Sequence, residues 1–446
     1  MTTLGFNMDN QWLPFTPNRS FKNDPRVFTA ASGMFFTTHD GRQVLDGISS
    51  LWCVGAGHNV KPINEAIKKQ LDTLDYATAF QASNPKAFEA AEMLAAMAPG
   101  DLNKVLFCNS GSEAADTSLK VALAYHRARG EGHRNVFIGR ERGYHGVGFG
   151  GMSVGGIPAN RKAYGTALLP RVDHMRFIHD PLNHAYINGT EPQWQEDILV
   201  ELENRILPLH DPSNIAAVIV EPVAGSAGWY VPPQGYLKRL REICDKHGIL
   251  LIFDEVITGF GRLGTNFASD YYGVVPDMLN FAKAVTNGVI PLGGVICRDH
   301  LYNAIMQAND KAPEHAIEFF HGYTYSGHPV ACAAAIATLT HFKSEDLFAR
   351  AGSMGTVLGD AMHSALKGLP TVLGIRSLGL AGAVELSSIA GLSGKRAYDI
   401  FMECFHKGVL VRPAGENLVL APPFIVDKAQ IDVMVGVLAD AIKKHA

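Results

Sequence analysis

Short, nearly unbroken apolar runs recur through the middle of the chain, with stretches of helical spacing between them. Lys104–Cys108, Val136–Gly139, Ala216–Val220, Ile249–Phe253, Met278–Phe281 and Gly293–Cys297 read as strands. Strands buried on both faces of a parallel sheet have no solvent side, so they lose the polar alternation of an exposed strand. An Ala-rich stretch running to about Arg129, with Gln195–Ile206 and Gln234–Lys246, supplies helices between them. This alternation predicts an α/β fold: a large, mainly parallel sheet with helical cover.

Upstream, Ile63, Ile67 and Leu71 fall on one face of a helix over Pro62–Leu74, and a second helix runs from Asn84 to Met97, halted by Pro99-Gly100. Met34–Gly47 reads as a hairpin turning at Asp40-Gly41, a pair that tolerates a type I′ turn. After His328-Pro329 the texture becomes α+β, with helices Val330–Lys343, Ser344–Leu366 and Lys395–His406 and strands within Val372–Leu386 and Val409–Leu420. The expected organisation is an N-terminal arm and part of a small domain over 1–75, a large α/β domain over 76–325, and a smaller α+β domain over 326–446. Residues 1–35, rich in Asn, Pro and Phe and aperiodic, read as the arm.

Composition narrows the class. With 446 residues, 47% hydrophobic and 18% charged, the chain has ample core for two or three domains. A net charge of −4 gives no basic footprint for nucleic acid. The first residues lack a secretory pattern, and no apolar run of about eighteen residues suggests a membrane span. Six cysteines without a Cys-x-x-Cys pair read as reduced core residues of a cytoplasmic protein, not a disulfide frame or metal site.

The candidate chemistry sits at strand ends. Asp254 closes the run Leu250–Phe253, where a carboxylate can hold a pyridine N–H protonated or simply cap a turn. Lys283 follows Met278–Phe281, where partial desolvation frees an amine lone pair for Schiff-base chemistry. In open α/β sheets ligands collect at the carboxyl ends of strands, so both can face one crevice. Asn109-Ser110-Gly111-Ser112-Glu113 passes from strand to helix and offers a phosphate seat or a plain Ser cap. Tyr144 opens a loop holding seven glycines from Gly143 to Gly156, and could stack on a planar ring. Within that loop Gly146–Gly151 matches the dinucleotide pattern G-x-G-x-x-G, yet the breakers of Met152–Pro158 predict no following helix, which argues against a nicotinamide enzyme. Glu221 is another strand-end acid, Arg412 could fork onto a carboxylate, and Trp52 could wall a pocket or fill core.

Jointly, Asn109–Ala114, Gly143–Gly146, Glu221–Val223, Phe253–Arg262, Ala282-Lys283 and His321–Pro329 resemble the class III (ω-type) pyridoxal-phosphate aminotransferases over nearly the whole chain. The resemblance implies the fold-type I architecture of pyridoxal-phosphate enzymes, with pyridoxal 5′-phosphate as cofactor and no metal. It implies Lys283 as the covalent and proton-shuttling residue, Asp254 on the ring nitrogen, and Val256 and Tyr144 on opposite ring faces. Gly111 and Ser112 would hold the phosphate, with Thr324 coming from a partner subunit, and Glu221 belongs to the same set. A homodimer or homotetramer with shared sites follows. Ile257, where many relatives carry Gln, and Val411-Arg412-Pro413-Ala414-Gly415 look most like the ω-amino acid–pyruvate branch, which includes β-alanine–pyruvate enzymes; Leu263 departs from a common Thr. In that branch Arg412 would bind the acceptor carboxylate, and Trp52 and Tyr144 would border the amine pocket. The expected partners are a small amine and a keto acid, and the expected reaction is transamination of a β-alanine-like donor with pyruvate. The alternatives are diaminononanoate synthase, 4-aminobutyrate aminotransferase, aminomutase and dialkylglycine decarboxylase chemistry.

Overall fold

The structure, a computed structural model, describes residues 7–193 and 197–446. Its largest sheet has seven strands in the order Leu102–Cys108, Gly293–Arg298, Met278–Phe281, Leu250–Asp254, Ile215–Val220, Val136–Arg140 and Val172–Met175. Only Gly293–Arg298 runs antiparallel to its neighbours. Ile215–Val220 and Leu250–Asp254 are buried at every position, as expected for strands covered on both faces. The helices Gly111–Ala128 and Tyr236–His247 bury apolar stripes against the sheet. The fold is therefore the α/β arrangement that the alternation predicted.

Shared strand direction positions the chemistry. Ile215–Val220, Leu250–Asp254 and Met278–Phe281 are mutually parallel, with Asn280 opposite Asp254 in register. Glu221, Asp254 and Lys283 consequently emerge together at the carboxyl ends of three central strands, where ligands gather in open α/β sheets.

Two smaller sheets join distant parts of the chain. Phe28–Ser32, Phe35–Thr38 and Gln43–Asp46 are extended by Val409–Leu410. Arg412–Ala414, Asn417–Leu420, Gly382–Leu386 and Val372–Ser377 are extended by Tyr186–Asn188, which pairs parallel to Val372–Ser377. The N-terminal segment lies over the helix Lys395–His406: Ser20 Oγ meets the Tyr398 hydroxyl at 2.7 Å and His406 meets Asp24 at 2.9 Å. Residues 1–6 of the expected arm lie outside the described residues, as do residues 194–196 at the start of the expected helix from Gln195.

Several expectations change in detail. The hairpin at Asp40-Gly41 forms, but Gly41 alone has positive φ (+85). A type I′ turn needs two such residues; here the Gly41 N–H donates to the Thr38 carbonyl and glycine takes the left-handed position alone. On the helix Lys61–Thr73, Ile63 and Ile67 are buried with Gln70, while Leu71 is 52% exposed. A short helix, Phe149–Val154, does form, beginning within the Gly146–Gly151 pattern itself. It is not a dinucleotide seat: the Asp116 carboxylate occupies the space beside Gly148 and Gly150 and accepts the Gly151 N–H at 2.7 Å. An anion there would repel a pyrophosphate.

Candidate active site

The acid pair at the end of Leu250–Asp254 divides its work. Glu255 is fully buried and accepts from Thr258 Oγ1, the Ala268 and Ser269 N–H groups and the Ser269 hydroxyl. It is the structural member, organising the helix Ala268–Tyr272. Asp254 is 6% exposed and turns instead to His145, whose Nδ1 lies 2.8 Å from Oδ2. With the carboxylate ionised, Nδ1 is the donor. His145 is 2% exposed, so the pair is shielded from water. Behind it, Glu221 accepts the Tyr144 N–H at 2.9 Å and the Gly225 N–H at 3.0 Å. Burial raises the Glu221 carboxyl above its usual range.

Lys283 opens the short turn Lys283–Thr286 with φ +53, a left-handed conformation that costs a residue bearing a side chain. Burial pushes its amine below the ordinary lysine value, against the opposing pull of Cys53 and Asp254. A desolvated amine gives up its proton more readily, which is what a nucleophile or base requires.

A cavity of about 300 Å³ connects these groups, at the lower end of small-molecule sites. Its lining takes in Gly111, Ser112, Tyr144, Glu221, Asp254, Val256 and Lys283. At one end the helix Gly111–Ala128 begins, capped by Ser110, whose Oγ accepts the Glu113 N–H at 3.2 Å. The Ser112 Oγ accepts the Val147 N–H at 3.1 Å, fixing the glycine loop to the helix start. A Cβ on Gly111 would fall 2.9 Å from the Val256 methyls, so the close approach of these two cavity walls requires glycine. The helix start presents N–H groups and a positive dipole end to an anion.

Three expected site residues are not part of the cavity lining, although Arg412 stands close enough to Tyr144 and Lys283 to act on the charge of both. Trp52 is 2% exposed, stacks on Trp229 at 5.2 Å and is not part of the cavity lining; its neighbour Cys53 takes that place. Arg412 leaves Nε buried and unpaired, and burial lowers its guanidinium pKa against the opposing influence of Tyr144. Thr324 is exposed and outside the cavity, its carbonyl accepting from the Tyr76 hydroxyl at 3.0 Å. Ile257, noted in the sequence where many relatives carry Gln, lines the cavity, as do His145, Cys53 and Thr286, which had not been singled out for it. His145 had a usable signal, since it directly follows Tyr144 in the loop. Cys53 had none, because only the fold brings it to Lys283.

A family profile described as aminotransferase class III matches residues 17–442. An ω-aminotransferase of Caulobacter vibrioides is 52% identical over 436 residues, covering 98% of each chain. A β-alanine–pyruvate aminotransferase of Pseudomonas aeruginosa is 46% identical over 436 residues, 98% of this chain and 96% of that one. Among solved structures, the PLP-bound amine transaminase of an uncultivated Pseudomonas species superposes with a TM-score of 0.90 at 35% identity, covering 99% of this chain and 100% of that chain.

Proposed function

The chain belongs to the class III aminotransferases, and from that premise we propose that it moves the amino group of an ω-amino acid or related primary amine to pyruvate. The products are an aldehyde or keto compound and L-alanine. The protein is a pyridoxal-phosphate-dependent transaminase with the fold-type I architecture. The observation that carries the reading is the convergence of the Lys283 amine, the Asp254 carboxylate and the start of the helix Gly111–Ala128 on one cavity. The relatives named for ω-amino acids and pyruvate support the substrate class.

The residues present fit the cofactor. A helix start for a phosphate, a buried acid for a ring nitrogen and a desolvated amine for an aldehyde share about 300 Å³. When bound, pyridoxal phosphate supplies an aldehyde carbon and a protonated ring that takes up the electron pair left on the substrate carbon. Lys283 Nζ would hold the cofactor and, as the free amine, would carry the proton taken from the carbon beside the substrate nitrogen to a different carbon of the bound adduct. Asp254 keeps the ring nitrogen protonated, and His145 keeps Asp254 oriented. Glu221 fixes the Tyr144 backbone, and Tyr144 and Val256 would flank the ring. Arg412, with its unpaired Nε, receives the acceptor's carboxylate.

A homodimer with shared sites belongs to this reading. Thr324 stands exposed where a second subunit could meet it, and Leu51, Phe80, Phe88, Phe320 and Tyr325 leave large apolar surface bare in the single chain. A cytoplasmic location is also part of it, supported by six free cysteines. Among the described residues no helix is long and apolar enough to cross a membrane, and no cluster of three or more His, Cys, Asp or Glu could hold a metal.

The test is stoichiometric alanine formation from pyruvate across β-alanine, 4-aminobutyrate and aryl-alkyl amines. Lys283→Ala should lower the rate by at least about a thousandfold. A variant that transaminates at near wild-type rate would exclude the mechanism, and loss of CO₂ or amino migration without alanine would exclude the reaction class.

A further inference from the structure

Asn287 ties the lysine-bearing turn to the segment that faces it across the cavity. It follows the turn Lys283–Thr286 with φ +52, its N–H donating to the Ala284 carbonyl at 3.0 Å, and is 3% exposed. Its carboxamide reaches out of the turn: Oδ1 accepts the Ala56 N–H at 2.8 Å and Nδ2 donates to the Gly57 carbonyl at 2.9 Å. One residue on, a Cβ at Gly288 would lie 2.9 Å from Cys53 Cβ, so the two segments touch where they are tied.

The segment Gly47–Gly57 is not at rest. Ser49, Ser50 and Trp52 hold φ of +49°, +60° and +66°, sparsely populated values that persist only where surroundings enforce them. Its start is enforced by Asp46, which accepts the Ile48 and Ser50 N–H groups and meets His58 Nε2, and by Arg262, which donates to Ser49 Oγ. Its end is enforced by Asn287, which binds it at Ala56 and Gly57, a few residues past the cavity-lining Cys53. A backbone requirement alone does not explain asparagine here. Glycine adopts positive φ freely, yet would leave the Ala56 N–H and the Gly57 carbonyl without these partners in the interior.

We infer that Asn287 is a positioning residue that sets the spacing between the Lys283 amine and the Cys53 wall, and thereby the size of amine the enzyme prefers. This rests on the transaminase reading above. The full-length holoenzyme carrying Asn287→Gly keeps the turn and loses both ties. Asn287→Asp keeps the acceptor for Ala56 and loses the donor to Gly57, and serves if the glycine variant fails to fold. The readouts are the absorbance of lysine-bound cofactor and the ratio of kcat/KM for an aryl-alkyl amine to that for β-alanine. The variant should bind the cofactor with the wild-type absorbance maximum, while the ratio moves toward the bulkier amine by at least about tenfold, the lower end of what one methylene of pocket fit is worth. An unchanged ratio, with or without lower thermal stability, overturns the inference and leaves the reaction assignment standing. Absence of lysine-bound cofactor in the wild-type protein overturns both.

Discussion

In the proposed mechanism Lys283 and Asp254 are each held in place by groups that take no part in the reaction. The lysine is aimed by a left-handed backbone and deprived of water, so its proton is less firmly bound than on a free lysine. The aspartate is aimed by His145, 2.8 Å away in a nearly dry setting. Charge-assisted hydrogen bonds of this kind are worth about 1.5–3 kcal/mol, roughly ten- to a hundredfold in rate if spent on the reaction. His145→Ala should therefore lower kcat by about ten- to a hundredfold while the donor KM stays close to wild type. A compensating rise in KM alone would show that His145 shapes binding instead. Asp254 and Lys283 stand out in the sequence at strand ends and His145 only by its place beside Tyr144, whereas Cys53 carries no mark because it reaches Lys283 only through the fold.

Among the elements, the start of the helix Gly111–Ala128 and Val256, in the turn after the strand Leu250–Asp254, approach so closely that a methyl group cannot fit between them. Overpacking costs on the order of 1–3 kcal/mol. Gly111→Ala should therefore weaken cofactor binding by about ten- to a hundredfold, measured by absorbance titration of the apoprotein. Wild-type affinity would mean that the helix start does not seat the phosphate. The buried strands were legible because covering both faces leaves an unbroken apolar run. Other elements carried no such mark. Tyr186–Asn188 is three residues long, too short for any period. Phe149–Val154 was hidden by glycines that tertiary contact demands, since a Cβ on Gly151 would meet the His145 carbonyl at 2.1 Å. Trp52 finds its partner Trp229 far along the chain, a contact no local pattern announces.

At the scale of the molecule, a buried polar knot joins the segment around His179, the loop Ala224–Tyr230 and the five-stranded sheet. Arg376, 1% exposed, donates to Glu385 at 2.6 Å and to the Gly228 carbonyl at 3.1 Å, with its guanidinium 3.9 Å above the Tyr230 ring. His179 lies 3.8 Å from Glu385. Burial first, then the charge of Arg376, push its pKa from 6.5 down to about 4, with Glu385 opposing. The neutral ring is therefore favoured in the fold. Above pH 6.5 both folded and unfolded forms are neutral and nothing is lost; as pH falls from 6.5 toward 4 the unfolded chain takes the proton first and stability declines. His179→Gln should flatten that decline by up to about 3 kcal/mol, read from denaturant midpoints at pH 7 and pH 4. Parallel curves for the two proteins would remove His179 from the acid response.

The sheets that span the chain also set a timetable for its birth. Gln43–Asp46 pairs with Val409–Leu410, and Tyr186–Asn188 with Val372–Ser377. At roughly 5–20 residues per second of synthesis, the first of these edges leaves the ribosome on the order of twenty seconds to a minute before its mate exists. In that interval the nascent protein exposes strand edges ready to pair with a neighbour. Synthesis of residues 409–420 is then the event that closes both small sheets, and the same stretch delivers Arg412, so the pairing that hides the edges also completes the part of the chain proposed to meet the acceptor.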